Sequence, residues 1–259
     1  MSRRILFASD IDNTLVYSYK KKEAGYICIE QNKGKNQGFM TNWTFKTFPE
    51  LYDKVTFIPV TTRSIEQYLR INWPNNIIPE YALVTNGATL LHNNEVSEGW
   101  NIIKREEPLL SQLKLIFEKY RRDKRFINCK IIDNSYVFVY CSDQVSPEDL
   151  IRELQSDTEF RVEASGRKIY FFPQNLSKGI ALKNFTLSTH FDLICAAGDS
   201  NMDISLLNQA DIAIIPDQFE CREYITSRII QCSDQNFSEF VLKSIMDLLA
   251  LSKTLISKT

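Results

Sequence analysis

The chain has 259 residues, of which 44% are hydrophobic, and this is enough to bury a substantial core, so we exclude a disordered protein. Its 31 basic and 32 acidic residues nearly cancel, and no block of like charge is typical of a nucleic-acid-binding arm or a basic membrane-binding patch. We therefore expect a small-molecule partner, with no nucleic acid and no membrane.

Histidines and cysteines exclude two further kinds of site. The only two histidines, His92 and His190, are far apart, so a histidine-based metal cage or catalytic triad is not expected. The six cysteines contain no C-x-x-C pair. The apolar stretch before Asp10 is too short for a signal peptide, and no apolar run approaches the length of a membrane span. We expect a cytoplasmic protein that is a monomer or a homodimer.

The first elements in chain order favour an α/β core. Residues 5–9 form an apolar run that ends at carboxylates, which is typical of a buried strand that carries acids at its carboxyl end. Residues 17–41 are polar, and two short apolar runs around the turn at 32–35 predict a hairpin flap beside that strand. The pattern then predicts a helix at 43–54, a strand at 55–60, a helix at 64–73 and a strand at 82–85.

From about residue 90 the pattern changes to two successive helix, strand, strand units. The predicted elements are a helix at 108–121, strands at 130–132 and 136–141, a helix at 147–155, and strands at 160–164 and 168–172. Two such units form a small sheet covered by two helices, so residues 90–172 are predicted to be an inserted, smaller α+β domain.

After Pro173 the alternation of helices and strands resumes. The predicted elements are a helix at 177–186, a strand at 193–197, a helix at 203–208, strands at 212–215 and near 229, and a C-terminal helix from 238. The predicted fold class is α/β, with a Rossmann-like parallel-sheet core formed by residues 1–89 and 173–259.

Two of the predicted strands end in pairs of acids. Asp10 and Asp12 follow the first strand, and Asp199 and Asp203 follow the strand at 193–197. Burying such charges is costly without a counter-ion, so we expect a cation there. A solvated loop or ordinary helix capping explains either pair alone, but not the two pairs together. Ligands that are all oxygen favour Mg²⁺ over zinc.

Two further segments suit the binding of a phosphate group. Thr61 and Thr62 offer hydroxyls and backbone N–H groups between a strand and a helix, although threonine also begins many helices. Lys178 lies in the first turn of a predicted helix, where the macrodipole disfavours a cation. A surface lysine beside a serine cap is the competing interpretation, and the broken local rule favours a functional lysine.

In this order the four segments resemble the motifs of the haloacid dehalogenase (HAD) superfamily of phosphohydrolases. The sequence has D-x-D-x-T at 10–14, threonine at 61, lysine at 178 and G-D-x-x-x-D at 198–203, so the match spans the whole chain. The insert follows Asn86, as in the HAD families with an α/β cap, namely the group of sucrose-phosphate phosphatase, mannosyl-phosphoglycerate phosphatase and Cof-type phosphatases. The resemblance implies a HAD-like core, with residues 90–172 as the cap.

The resemblance also implies an activity, which is magnesium-dependent hydrolysis of a phosphomonoester through an aspartyl-phosphate. The substrate would be a sugar phosphate or a similar small metabolite. Asp10 would be the nucleophile, and Asp12 would be the general acid and base. Asp10, the backbone carbonyl of Asp12, and Asp199 would hold Mg²⁺. Asp203 would orient the lysine or a metal-bound water.

Thr61, Thr62 and Lys178 would bind the phosphoryl oxygens in the implied mechanism. Asn86, beside the insert, would support them. Many relatives carry glycine where this chain has Thr62, which puts the substrate and the rate in question more than the reaction type.

A second departure lies beside the final acid. Many relatives carry asparagine where this chain has Met202, and we expect Asn201 or Ser200 to supply the missing polar group.

Substrate choice is expected to lie in the cap, because the core motifs contact only the phosphoryl group and the metal. Arg167 and Lys168, at a turn between the last two cap strands, are our candidates, with the flap at 33–37 as the second place. A phosphomutase is the alternative enzyme, although the cap is short for one. A non-catalytic binding protein is the third interpretation, and the intact motif residues argue against it.

Overall fold

The structure, a computed structural model, describes residues 4–233 and 235–256. Its strands are β1 (Ile5–Ser9), β2 (Tyr17–Ser18), β3 (Ile27–Asn32), β4 (Lys35–Met40), β5 (Thr56–Pro59), β6 (Tyr81–Val84), β7 (Thr89–His92), β8 (Glu95–Val96), β9 (Phe126–Ile132), β10 (Tyr136–Cys141), β11 (Arg161–Ser165), β12 (Lys168–Phe172), β13 (Leu193–Ala197), β14 (Ile212–Ile215) and β15 (Arg228–Gln231). Its helices are α1 (Asn42–Tyr52), α2 (Ile65–Leu69), α3 (Glu107–Tyr120), α4 (Pro147–Ser156), α5 (Lys178–Thr186), α6 (Ile204–Leu207) and α7 (Phe237–Ile256).

A five-stranded parallel sheet forms the centre of the core, in the order β15-β14-β13-β1-β5. The residues of β1 alternate between its two faces: Ile5 and Phe7 pack with α1 and α7, whereas Leu6 and Ala8 pack with α5 and α6. Because both faces of this strand are buried, its sequence is an unbroken apolar run. The expected α/β core with a parallel sheet is confirmed.

A separate four-stranded antiparallel sheet, in the order β11-β12-β10-β9, carries α3 and α4 on one face. Val137 and Phe171 point to that face and pack with the two helices. Tyr136 and Tyr170 point to the opposite face and pack against Met202 of the core. These elements form the expected α+β cap, whereas its limits at 90 and 172 stay a prediction.

The predicted hairpin flap is confirmed as β3 and β4, and β4 also pairs with β2 to complete a small antiparallel sheet. The predicted helix at 64–73 is shorter than expected and ends after Leu69. After the helix the chain contacts the flap. The N–H of Asn72 donates a hydrogen bond to the carbonyl of Ile29 in β3 at 2.7 Å. The flap is thereby attached to the core next to α2.

Three other elements also differ from the sequence expectation. The helix expected at 203–208 begins as a tight 3₁₀ turn, Asn201–Asp203, before the single turn of α6. Strands β7 and β8 were not expected, and they extend β6 antiparallel beyond residue 90. Within the residues that the structure describes, no helix is both long enough and apolar enough to span a membrane.

The contact between α5 and α6 generates a prediction about Gly179. A Cβ at this position would lie 2.0 Å from the backbone oxygen of Ser205, so Gly179→Ala forces the two helices apart. We expect a net loss of about 1–3 kcal/mol in the free energy of unfolding, although alanine is intrinsically the better helix former. Thermal denaturation followed by circular dichroism measures it. Lys183→Ala, at an exposed position of α5, is the control, and an equal melting temperature for both variants would contradict the prediction.

Candidate active site

The acids at the two predicted strand ends meet at the carboxyl edge of the central sheet. The backbone N–H of Asp10 donates to the carbonyl of Ala197 at 2.9 Å, which joins the end of β1 to the end of β13. Carboxylate oxygens of Asp10, Asp199 and Asp203 lie within 4.8 Å of one another. Parallel pairing therefore gathers three carboxylates at one point, as the sequence predicts for adjacent strand ends.

Lys178 lies between two of these carboxylates. Its Nζ is 2.6 Å from Oδ1 of Asp10 and 2.6 Å from Oδ1 of Asp203, and its side chain is only 3% exposed. Ser177 caps α5 by accepting a hydrogen bond from the N–H of Ile180, so the helix starts directly at the lysine. A buried ammonium needs such partners, because an unpaired one would be far more costly.

Asp203 uses both of its carboxylate oxygens on protein donors. Oδ1 accepts from Lys178, while Oδ2 accepts from the N–H of Asp199 at 3.1 Å and from the N–H and hydroxyl of Ser200, both at 3.0 Å. Close packing of this loop requires Gly198, since a Cβ there would lie 2.4 Å from Cβ of Asp203. Asp203 therefore orients Lys178 and the loop that carries Asp199.

Within the described residues, Asp10 and Asp199 each keep one carboxylate oxygen that accepts no hydrogen bond from the protein, and burial raises the pKa of both side chains. Burial and the nearby acids raise the pKa of Asp10 well above its usual value, with Lys178 opposing them. Burial and Asp203 raise the pKa of Asp199 to about 7, against the attraction of Lys178. Asp10 is buried and Asp199 is half-buried, and two neighbouring carboxylates that both resist ionisation form a donor set that suits a hard divalent cation.

Asp12 lies apart from this cluster and faces a cleft. Arg63 binds it in a bidentate manner, with Nε 2.9 Å from Oδ2 and Nη2 2.8 Å from Oδ1. The Asp12 side chain is 51% exposed. The surrounding protein nevertheless partly desolvates the carboxylate, which acts to raise the pKa of Asp12, but the charge and hydrogen bonds of Arg63 outweigh this effect and hold that pKa below its usual value.

The threonine segment lies next to the strand end. The Oγ1 of Thr61 accepts from the N–H of Arg63 at 3.1 Å, which leaves the buried Thr61 hydroxyl hydrogen for another acceptor. Asn86, buried with φ of 58°, donates its backbone N–H to the carbonyl of Thr61 at 2.8 Å. The carbonyl of Thr62 accepts from the hydroxyl of Tyr136 at 2.6 Å, so the cap touches this segment directly.

Beside the final acid, the structure distinguishes the two candidates for the missing polar group and shows where Met202 packs. Asn201 is exposed, whereas Ser200 contacts Asp203, so Ser200 fills the place of the missing polar group. Met202 is buried in an apolar cluster with Tyr170 and Phe172 of the cap. The methionine therefore extends the contact between core and cap at the site.

A cleft of about 720 Å³ lies between core, flap and cap. The core contributes Asp12 and Arg63, the flap contributes Lys33 and Gln37, and the cap contributes Lys168 and Tyr170. Tyr170 and Asp12 raise the pKa of Lys168, which stays cationic.

Arg167, the other cap candidate, does not line the cleft. Its guanidinium turns back to the carbonyl of Cys141 at 2.6 Å, forms an ion pair with Asp143 and covers the ring of Tyr140. Arg167 follows the tight turn at Gly166, and successive side chains along an extended chain point in opposite directions. The side chain of Arg167 therefore points away from that of Lys168.

Sequence reasoning missed two charged residues of the site, Arg63 and Glu30. Arg63 directly follows the two threonines, and its Nη1 donates to the buried Glu30 of the flap at 2.8 Å. The available signal for Arg63 was its position directly after Thr61 and Thr62, which the sequence predicts to bind phosphate. Nothing in the sequence pattern marked Glu30.

No family model matches the chain, and no curated protein matches it in sequence. Solved structures do match over nearly the full length. The sucrose-phosphatase from Synechocystis has a TM-score of 0.60 at 14% identity, covering 98% of this chain and 99% of that one. The C-terminal domain of trehalose-6-phosphate phosphatase from C. albicans has a TM-score of 0.60 at 13% identity, covering 96% and 93%.

A phosphatase of the HAD superfamily from Bacteroides thetaiotaomicron is similar as well, with a TM-score of 0.58 at 12% identity, covering 95% of this chain and 96% of that one. These matches include both the central sheet and the cap. The chain therefore has the fold of the capped HAD phosphatases.

The raised pKa of Asp199 predicts how stability depends on pH in the metal-free protein. Since this pKa is about 7 in the folded state, against 3.8 for an ordinary aspartate, the folded protein holds the proton more tightly than the unfolded chain. This tighter proton binding by Asp199 contributes to the free energy of unfolding below about pH 4, and the contribution is lost as the pH rises through about 7. We expect metal-free Asp199→Asn to melt higher than the wild type at pH 8, with the gap closing towards pH 4.

Thermal scans at both pH values, with and without Mg²⁺, measure this effect. Mg²⁺ should raise the melting temperature of the wild type but not that of Asp199→Asn. Asp217→Asn, at an exposed position, should behave as the wild type. A gap between wild type and Asp199→Asn that is the same at pH 4 and pH 8 would contradict the prediction.

Proposed function

We propose that this protein is a magnesium-dependent phosphomonoester hydrolase that works through an aspartyl-phosphate on Asp10. The observation that carries the proposal is the buried contact of Asp10 with Lys178, which Asp203 holds from the other side. This contact fixes a carboxylate as a nucleophile and places a cation where an incoming phosphate needs charge compensation.

The proposed metal site consists of Asp10, Asp199 and the backbone carbonyl of Asp12. Their oxygen donors and the raised pKa values of the two carboxylates support this assignment. When bound, Mg²⁺ supplies positive charge that neutralises the phosphate and the nucleophile together. Lys178 and the free hydroxyl hydrogen of Thr61 bind phosphoryl oxygens, and they stay in place as negative charge moves to the leaving oxygen.

Asp12 is the proposed general acid and base, since its carboxylate faces the cleft and lies only two positions after Asp10. Its lowered pKa suits the second half of the cycle, in which it takes a proton from the attacking water. A phosphate dianion beside Asp12 raises its pKa by like-charge repulsion, which favours the protonated form needed to release the leaving alcohol. One residue thereby serves both half-reactions.

A sugar phosphate is the substrate class that the cleft supports best. Similar structures are named as sucrose-phosphatase and trehalose-6-phosphate phosphatase. The cleft presents aromatic rings of Tyr136, Phe138 and Tyr170 from one face of the cap sheet, with polar groups from the flap opposite. Flat aromatic surfaces beside hydrogen-bonding groups suit a sugar ring, and the cleft has room for one beyond the phosphate.

Asp10→Asn is expected to abolish hydrolysis, by at least about 10³-fold, because an amide cannot attack phosphorus. Loss of Mg²⁺ by chelation should have the same effect on the wild type. Release of inorganic phosphate from p-nitrophenyl phosphate measures both, and circular dichroism checks that the fold is kept. Asp217→Asn is the matched control. Wild-type turnover without divalent metal would overturn the proposed mechanism.

Hydrolysis in ¹⁸O-labelled water distinguishes the phosphatase from the phosphomutase. A phosphatase delivers the label to free phosphate, because water attacks the phosphorus of the aspartyl-phosphate. A mutase instead returns the phosphoryl group to the sugar, so an isomeric sugar phosphate with little labelled phosphate would favour the alternative.

Lys168 and Arg167 give a matched pair for testing where substrate specificity lies. Lys168→Ala should lower kcat/KM for a sugar phosphate about ten-fold, because the lysine faces the cleft, and should change hydrolysis of p-nitrophenyl phosphate little. Arg167→Ala should leave both values near those of the wild type, because its guanidinium contacts Cys141 and Asp143. Equal losses on both substrates for Lys168→Ala would place its role in the fold of the cap.

A further inference from the structure

A continuous path of charged contacts runs from the flap to Asp12. Glu30 of β3 accepts from Nη1 of Arg63 at 2.8 Å and from Nε of Arg70 at 3.2 Å. Arg63 directs its remaining edge, Nε and Nη2, to the two oxygens of Asp12. One guanidinium therefore joins a buried carboxylate of the flap to the cleft carboxylate of the core.

Local backbone features place Glu30 beneath Arg63. The pairing of β3 with β4 is irregular on both sides of Glu30, and such a bulge redirects a side chain. Its backbone also forms a bridge to Ile71 of the core. Opposite it, Gly38 leaves the space that the carboxylate needs, since a Cβ there would lie 2.9 Å from Oε2 of Glu30.

A purely structural ion pair that holds the flap is the simplest alternative for Glu30. The pair with Arg70 serves that purpose by itself, because both residues lie at the junction of flap and α2. The pair with Arg70 does not explain why the same carboxylate also binds Arg63, whose guanidinium forms its other hydrogen bonds with Asp12 and with the carbonyl of Gln67.

We propose that Glu30 is a positioning residue for Asp12, which it orients by holding Arg63 in place. The proposal rests on the proposed function, in which Asp12 protonates the leaving group. Glu30 fixes one end of the guanidinium, and the bidentate fork at the other end fixes the plane of the Asp12 carboxylate. Without Glu30 the guanidinium of Arg63 moves away from its position against Asp12, and Asp12 loses its alignment with the leaving oxygen.

The test compares two substrates of the same shape whose leaving groups differ in basicity. Phenyl phosphate needs a proton donor for its departing oxygen, whereas p-nitrophenyl phosphate needs little help. In Glu30→Gln we expect kcat/KM for phenyl phosphate to fall about ten-fold or more, and that for p-nitrophenyl phosphate by less than about three-fold. The readout is the ratio of kcat/KM for phenyl phosphate to kcat/KM for p-nitrophenyl phosphate, since a structural defect would lower both values alike.

Two further variants complete the design. Glu66→Gln is the control, because Glu66 pairs with the same Arg70 but is 86% exposed and does not touch Arg63, so both substrates should keep the wild-type ratio. Gly38→Ala displaces the Glu30 carboxylate without removing its charge, and it should shift the ratio in the same direction as Glu30→Gln. It also serves if Glu30→Gln fails to fold.

Equal losses on both substrates in Glu30→Gln and Gly38→Ala, or no loss on either, would overturn the role of Glu30 while leaving the phosphatase intact. A wild-type protein that hydrolyses neither aryl phosphate with Mg²⁺ would overturn the proposed function, and the role of Glu30 with it. The two failures are therefore distinguishable.

Discussion

The ammonium group of Lys178, buried between Asp10 and Asp203, is the interaction on which the candidate site depends. Removing such a charge from water is costly, and only the two carboxylates at 2.6 Å compensate for it. Even so, one lysine cannot balance three gathered carboxylates. Three carboxylates gathered at the sheet edge around one lysine form a donor set that suits a further cation.

Two other parts of the molecule converge on this charged centre from opposite sides. The cap reaches the core through the hydroxyl of Tyr136, which donates to the carbonyl of Thr62, and through the apolar contact with Met202. The flap reaches Asp12 through Arg63. The central sheet thus carries the gathered carboxylates, while the flap and the cap enclose the cleft beside them.

Much of the fold and the centre of the candidate site could be predicted from the sequence, because strand-end position is a local property. Apolar runs that stop at Asp10 and Asp199 indicated both the strands and the meeting of their acids. The partnership of Glu30 with Arg63 could not be predicted, since it depends on a bulge and on a flap folded against α2. The direction of the Arg167 side chain could not be predicted either, because it depends on the geometry of the turn at Gly166. Met202 appeared as a lost polar group, and only the packing of the cap explains it.

The contact between Asp10 and Lys178 joins positions 168 residues apart in the chain. During synthesis the strand that carries Asp10 is made first, and the flap and the cap follow before the lysine exists. A nascent chain therefore holds its acidic strand end without a counter-ion until the second part of the core is complete. The centre of the site is a product of finished tertiary folding, so a truncated or partly folded chain lacks it altogether.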